Sequence, residues 1–306
     1  MITMPALLER TADLARESLG QPVRLRRFLQ EHPKIRINLE GVPPSIWMND
    51  VFPWHQVADA FLLSNRPIGS LLGWKLHGDD YSSFLLQRPE FSVLTQSRWT
   101  PNFECDIRDV QGLAEADSGM SSYQDLDSWV RDQAPELVTP VTGAQLFSNL
   151  AHRQVRVSDS ASTDRFCRFA WDGRLFLDNN GGARHFAAAR HIAGQLGQSV
   201  PLRSQLIMHL INGAVAESLR KDFEIFLMPD PPVICNEFHE VMKSMGVTWL
   251  WHPLPTPYQE CKAIYLPRSE ERSMQVADLL RGFGMADLGR LLAMHVQRQW
   301  VHGNRS

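Results

Sequence analysis

The residues whose types and spacing suit chemistry lie together in Trp171–Arg190, WDGRLFLDNNGGARHFAAAR. Asn180, Gly181, Gly182 and Ala183 lead there into Arg184 and His185. Glycines at the entry to a helix leave backbone N–H groups without intrahelical partners, and the positive end of the helix dipole adds to their pull on a negative charge. Such a turn is an anion site in outline. Arg184 falls in the first helical turn, where a guanidinium could hold a phosphate or carboxylate through two parallel hydrogen bonds. The same residues also fit a plain strand-to-helix connection with no ligand, since short motifs of this kind recur by chance.

Three elements must position this turn. Asp172-Gly173 separates the apolar runs Phe166–Trp171 and Leu175–Leu177, which predicts a hairpin with a type I′ turn. Asp178–Gly182 cannot continue the second strand. From Ala183 the alanine-rich composition predicts a helix with Phe186, Ala189, Ala193 and Leu196 on one face. Arg184, His191 and Gln195 then form an outward stripe.

The box itself carries a family resemblance. Gly182–Ala189, GARHFAAA, resembles the GERRxxAA box of the ParB partition proteins, and Gly181–Ala188, GGARHFAA, is similar to the GGCHRYAA box of sulfiredoxin. Those families share a nucleotide-binding fold in which this turn and helix start hold nucleotide phosphates. Val200-Pro201-Leu202 stands where that fold has a VPV-like strand. The resemblance covers Glu136–Leu219 at most and is dense over Leu175–Leu202. It implies that Asn180, Gly181, Gly182 and Ala183 form the phosphate-binding turn, with Arg184 as clamp and His185 as a second donor. It further implies Asp178, the acidic residue before the glycines, as metal ligand or general base if there is hydrolysis or phosphoryl transfer, with His185 the other catalytic candidate. Two positions depart from the pattern. Ala183 replaces the reactive cysteine of sulfiredoxin, so that thiol chemistry is not expected. ParB has glutamate at that position and a second arginine in place of His185, so recognition of CTP is not implied.

The rest of the chain narrows the class. Among 306 residues, 31 Lys and Arg against 34 Asp and Glu leave a formal charge of −3, which gives no basic footprint for nucleic acid. Cys105, Cys167, Cys235 and Cys261 are scattered without a CxxC pair, against a zinc site or a disulfide scaffold and in keeping with a reducing cytosol. Met1–Leu8 lacks a leader pattern and no apolar run reaches membrane-spanning length, so a cytoplasmic protein of bacterial style, without membrane contact, is expected. Trp47, Trp54, Trp74 and Trp99 crowd the region Ile46–Thr100 as core or interface residues, with a base-stacking platform as the alternative.

The acidic stretch Glu104–Ser122 reads as a linker, giving domains over 1–118 and 119–306. Helices are expected over Pro5–Gly20, Val23–Gln30, Ser204–Leu219 (divided at Asn212-Gly213), Asn236–Met245 and from Ser269, and strands over Ile35–Leu39, Phe223–Met228, Val247–Trp251 and Cys261–Leu266. The expected fold class is α+β: a C-terminal ParB/sulfiredoxin-like domain with a mixed sheet, ending in a helical pair, and an aromatic-rich N-terminal α+β domain without an assigned role. The leading function is binding of a nucleotide, a triphosphate with magnesium, or of another phosphorylated small molecule, with NTP hydrolysis or phosphoryl transfer as the associated activity. Two alternatives stay open. One is a non-catalytic regulatory or defence protein that keeps the fold and engages a protein partner through its tryptophan-rich N-terminal half. The other is a DNA-binding protein or nuclease.

Overall fold

The computed structural model describes residues 22–39, 43–64, 66–115, 119–157, 159 and 162–303. The helix expected over Pro5–Gly20 and the centre of the expected linker, 116–118, lie outside them. The strands are β1 (Ser70–His77), β2 (Asp80–Gln87), β3 (Thr95–Asp106), β4 (Val110–Leu113), β5 (Arg165–Phe169), β6 (Leu175–Asp178), β7 (Pro201–Ile211), β8 (Phe223–Pro229), β9 (Trp249–Pro253) and β10 (Cys261–Pro267). The helices are α1 (Val23–Glu31), α2 (Leu126–Gln133), α3 (Gly143–Leu150), α4 (Ala183–Leu196), α5 (Gly213–Asp222), α6 (Pro232–Ser244), α7 (Glu271–Gly282) and α8 (Leu288–Gly303). The protein is therefore of mixed α and β class. No helix among the described residues is long and apolar enough to cross a membrane.

The chain divides into two units, each assembled from separated segments. Unit 1 takes Met1–Val42, Gln56–Leu94 and Asn212–Met294, and unit 2 takes Pro43–His55, Thr95–Ile211 and His295–Ser306. This replaces the division expected at 118/119. The physical reason is strand pairing: β4, inside the acidic stretch, pairs in parallel with β6, far beyond it.

Unit 1 is built on an antiparallel sheet of order β2-β1-β9-β10-β8. Strand alternation sends Trp249, Ile264, Leu266, Phe226 and Met228 to one face, where Leu25, Phe28 and Leu29 of α1, Phe238 and Met242 of α6 and Val276, Ala277 and Leu280 of α7 bury them. The strand expected over Ile35–Leu39 is not formed. Pro33 opens a short 3-10 turn there instead, its fixed φ suiting the first position.

Unit 2 is built on a mixed sheet of order β3-β7-β5-β6-β4. β3 pairs antiparallel with β7, β7 parallel with β5, β5 antiparallel with β6 and β6 parallel with β4. Leu126, Trp129 and Val130 of α2, Leu146 of α3 and Phe186, Ala187, Ile192 and Ala193 of α4 pack with Phe166, Leu175, Leu177, Leu202 and Leu206 into one core. Burying apolar surface on this scale is the main term favouring the unit.

Three local expectations are corrected here. The Asp172-Gly173 connection is not a type I′ turn, which needs positive φ at both central residues; only Gly173 has it, at 88°, while the Asp172 carboxylate is held by Arg174 through two 2.7 Å hydrogen bonds. Ser204–Ile211 is strand, not helix, because β7 pairs on both sides. The helix starts only at Gly213, where the Asn212 side chain accepts from the Ala214 N–H. On α4, His191 does not face outward: it is buried, with Nδ1 3.2 Å from Asp127 Oδ1, whereas Leu196, expected inside, is exposed.

Candidate functional site

The turn between β6 and α4 forms as strand, glycine pair and helix N-terminus. Asn179 ends the strand by folding its side chain back, donating from Nδ2 to the Gly181 carbonyl at 2.9 Å. Gly181 and Gly182 take φ of 112° and 78°, a region that side chains disfavour. Gly182 also has no room for a side chain, since a Cβ there would lie 2.6 Å from the Gln154 carbonyl oxygen. The segment containing Gln154 thus crosses directly over the turn.

An anion does sit at the start of α4, and it belongs to the protein. Glu115 Oε2 accepts from the Ala183 N–H at 2.8 Å and from Asn179 Nδ2 at 3.2 Å, while the Glu115 N–H donates to Asn179 Oδ1 at 3.3 Å. A carboxylate here is favoured by the same free amide and dipole that would hold a phosphate. The expected ligand donor at Ala183 is therefore engaged internally. Glu115→Ala is expected to destabilise unit 2 by about 1 kcal/mol, the usual value of a lost cap, read as a lower urea midpoint. An unchanged midpoint would show that the carboxylate does not cap the helix.

The other expected site residues are placed separately around the turn. Asp178 Oδ2 accepts from Arg165 Nε at 2.9 Å, so one oxygen of its carboxylate is held by a guanidinium. Asn180 is tied from both sides: its N–H donates to Asp164 Oδ1 at 3.3 Å and its carbonyl accepts from Arg156 Nη2 at 2.8 Å. Arg184 is exposed in the first turn of α4. His185 Nδ1 lies 3.0 Å from Asn149 Oδ1, and the ring stacks on His152 with centroids 3.7 Å apart. Burial lowers the His185 pKa, and His152 lowers it further, which favours a neutral imidazole. The Ala183 side chain is buried, so position 183 points into the core and away from the turn.

Sequence reasoning missed a polar cleft beside this turn. It has a volume of about 830 Å³ and is lined by Arg165, Arg203, Ser162, Thr163, Asp164 and Asn102 among others. Asn102 has φ of 56°, at a register shift between Thr100 and Phe103 that bends β3 at the cleft. Arg165 is positioned twice, by Asp178 and by the Trp99 ring, whose centroid is 5.9 Å from its guanidinium carbon. Arg203 is more open, with a long contact of 3.6 Å to Glu104. The available signal was the basic residue at the start of β5, two residues after the Ser162-Thr163 pair.

Residues 100–304, more than half of the chain, match the model of a family of unknown function, DUF6685. The chain belongs to that family. No curated protein and no solved structure matches it. The DUF6685 span contains the turn, the cleft and the paired strands β5, β6 and β7, whereas β1 and β2 precede it.

The sheet of unit 2 also carries histidines on Phe169's side. The His55 and His209 rings lie 4.4 Å apart, His209 Nδ1 is 2.9 Å from Ser97 Oγ, and Trp54 Nε1 donates to His295 Nδ1 at 2.8 Å. Burial pushes His55 down to about 3, helped by His209, and pushes His209 and His295 down to about 4. Of these three, His209 and His295 fall inside the DUF6685 span. All three are neutral near pH 7.

Proposed function

We propose that unit 2 binds a nucleotide or another phosphorylated small molecule, with the phosphates in the cleft beside the β6–α4 turn. The observation that carries this reading is Arg165, a guanidinium pre-positioned by Asp178 and Trp99 in a cleft that also offers Arg203 and the side chains of Ser162 and Thr163. An arginine held in place loses little freedom when it pairs with a phosphate, and its fork geometry matches phosphate oxygens. The resemblance of Leu175–Leu202 to the ParB and sulfiredoxin box supports the same ligand class and a relationship to that fold.

The reading moves the phosphates away from the α4 amide, because Glu115 holds that place. Arg165 takes the clamp role expected of Arg184. Hydrolysis is not included: the Asp178 carboxylate accepts from Arg165, and His185 Nδ1 is bonded to Asn149. Magnesium would arrive with a triphosphate rather than wait on Asp178. Thermal denaturation with ATP, ADP, CTP, GTP and inorganic pyrophosphate, each with magnesium, tests the proposal. A ligand present at a hundred times its Kd is expected to stabilise the fold by about 2.7 kcal/mol. No shift with any of them at millimolar concentration would remove the reading.

A protein-binding role is a second reading, favoured by β3. It is a twelve-residue edge strand, mostly exposed, and it presents Trp99 at 53% exposure. The tryptophan-rich half as a whole does not form such a surface. Trp54 is buried, Trp74 packs against the core of unit 1, and Trp47 Nε1 donates to the Ala114 carbonyl.

A further inference from the structure

Unit 1 has a cleft of its own, of about 560 Å³, within the usual range of small-molecule sites. It opens on the sheet face opposite the one that α1, α6 and α7 cover. The register places Gly73, Phe84 and Leu250 in one row across β2, β1 and β9, with their side chains on one face. Gly73 is required there, since a Cβ would lie 2.6 Å from the Phe84 ring and 2.8 Å from Leu250 Cγ. The Phe84 ring therefore packs over the glycine and, with Leu86, gives the cleft an apolar floor, while Leu250 and Phe223 line it from buried positions.

Charge on the rim is unequal. Arg88 is already committed, to Glu90 at 2.6 Å, to Asp222 at 2.8 Å and to Ser218 at 3.2 Å, and Arg268 is committed to Glu224 at 2.8 Å. Lys75 and Lys221 also line the cleft, and among the described residues neither has a carboxylate partner. Lys75 Nζ stands 4.8 Å from the Phe84 ring centroid, so a positive charge without a carboxylate partner among the described residues borders the apolar surface.

The geometry points to a second binding site here, for a small amphipathic anion: an aromatic or acyl body laid on Phe84 and Leu86, with an acidic head on Lys75 and Lys221. An apolar floor supplies affinity through area removed from water, and the two ammonium groups select the negative head and orient it. Neither the family match, which begins at residue 100, nor the phosphate cleft of unit 2 involves β1 or β2.

The fluorescent probe 8-anilinonaphthalene-1-sulfonate and its uncharged relative N-phenyl-1-naphthylamine test this with the full chain. The sulfonate is expected to bind the native protein at one saturable site, more weakly as salt rises. The double variant Lys75→Gln/Lys221→Gln, which alters rim positions only, is expected to lower that affinity by at least about tenfold. Binding of the uncharged dye should stay the same in the double variant and fall in Phe84→Ala. Far-UV circular dichroism and the melting temperature confirm that each variant is folded, and Arg165→Ala serves as the control that leaves this site intact. Absence of saturable sulfonate binding, or equal affinity for wild type and the lysine double variant, would overturn the assignment.

Discussion

Gly182→Ala is expected to destabilise unit 2 by about 2–4 kcal/mol, enough to remove a large part of the stability of a typical domain. Two effects add at this position. An alanine at φ of 78° and ψ of 13° sits in the left-handed region, which costs about 1–2 kcal/mol. Its Cβ would also lie 2.6 Å from the Gln154 carbonyl oxygen and 2.8 Å from the carbonyl carbon, and both are backbone atoms that cannot rotate away. Gly197, at the far end of α4, separates the two effects: its φ is 63°, but a Cβ there would meet nothing within 4 Å. Gly197→Ala should therefore show the conformational cost alone. Urea unfolding of both variants checks the argument, and equal losses would mean that the Gln154 segment does not press on the turn.

Acidification from pH 7 to pH 5 is expected to destabilise the protein through its buried histidines. Folded, His209 and His295 stay neutral down to about pH 4 and His55 to about pH 3, and His252 in unit 1, fully enclosed, also titrates near 4. Unfolded, each takes up a proton near pH 6.5. Between those values the unfolded chain binds more protons, so the stability these groups carry is complete above about pH 6.5 and is lost as pH falls toward 4. The expected loss is on the order of 1 kcal/mol per histidine, after allowance for partial exposure of His55 and His209. Urea midpoints measured across that range give the slope. His209→Gln, which keeps a polar side chain near Ser97, should flatten it. A stability that is level between pH 7 and pH 5 would contradict the burial of these rings.

The local parts of the site were legible because they depend on neighbours in sequence. The cluster after Leu177 breaks the strand, at Asn179 rather than at Asp178, and the alanine-rich Ala183–Leu196 is helical. What escaped depends on residues far apart. Glu115 reaches the Ala183 amide from 68 positions away, and no spacing rule connects a carboxylate in an acidic stretch with that amide. From Ser204 on, β7 reads as helix in the sequence because Leu206, Ile207, Leu210 and Ile211 fit either period. Pairing with β3 on one side and β5 on the other decides for strand. The same non-local pairing places strands inside the expected linker, since the end of β3 and all of β4 lie within Glu104–Ser122. Arg165 gains its role only from the fold, which sets it between Asp178 and Trp99.

The family relationship covers the turn and the cleft, so the central claim concerns which arginine meets the ligand. Isothermal titration of wild type, Arg165→Ala and Arg184→Ala with the magnesium nucleotide that gives the largest thermal shift decides it. A charge-assisted hydrogen bond contributes about 1.5–3 kcal/mol, so Arg165→Ala should weaken binding by roughly ten- to a hundredfold. Arg184→Ala should bind as wild type does. Loss of binding in Arg184→Ala with Arg165→Ala unaffected would return the phosphates to the start of α4 and contradict the account.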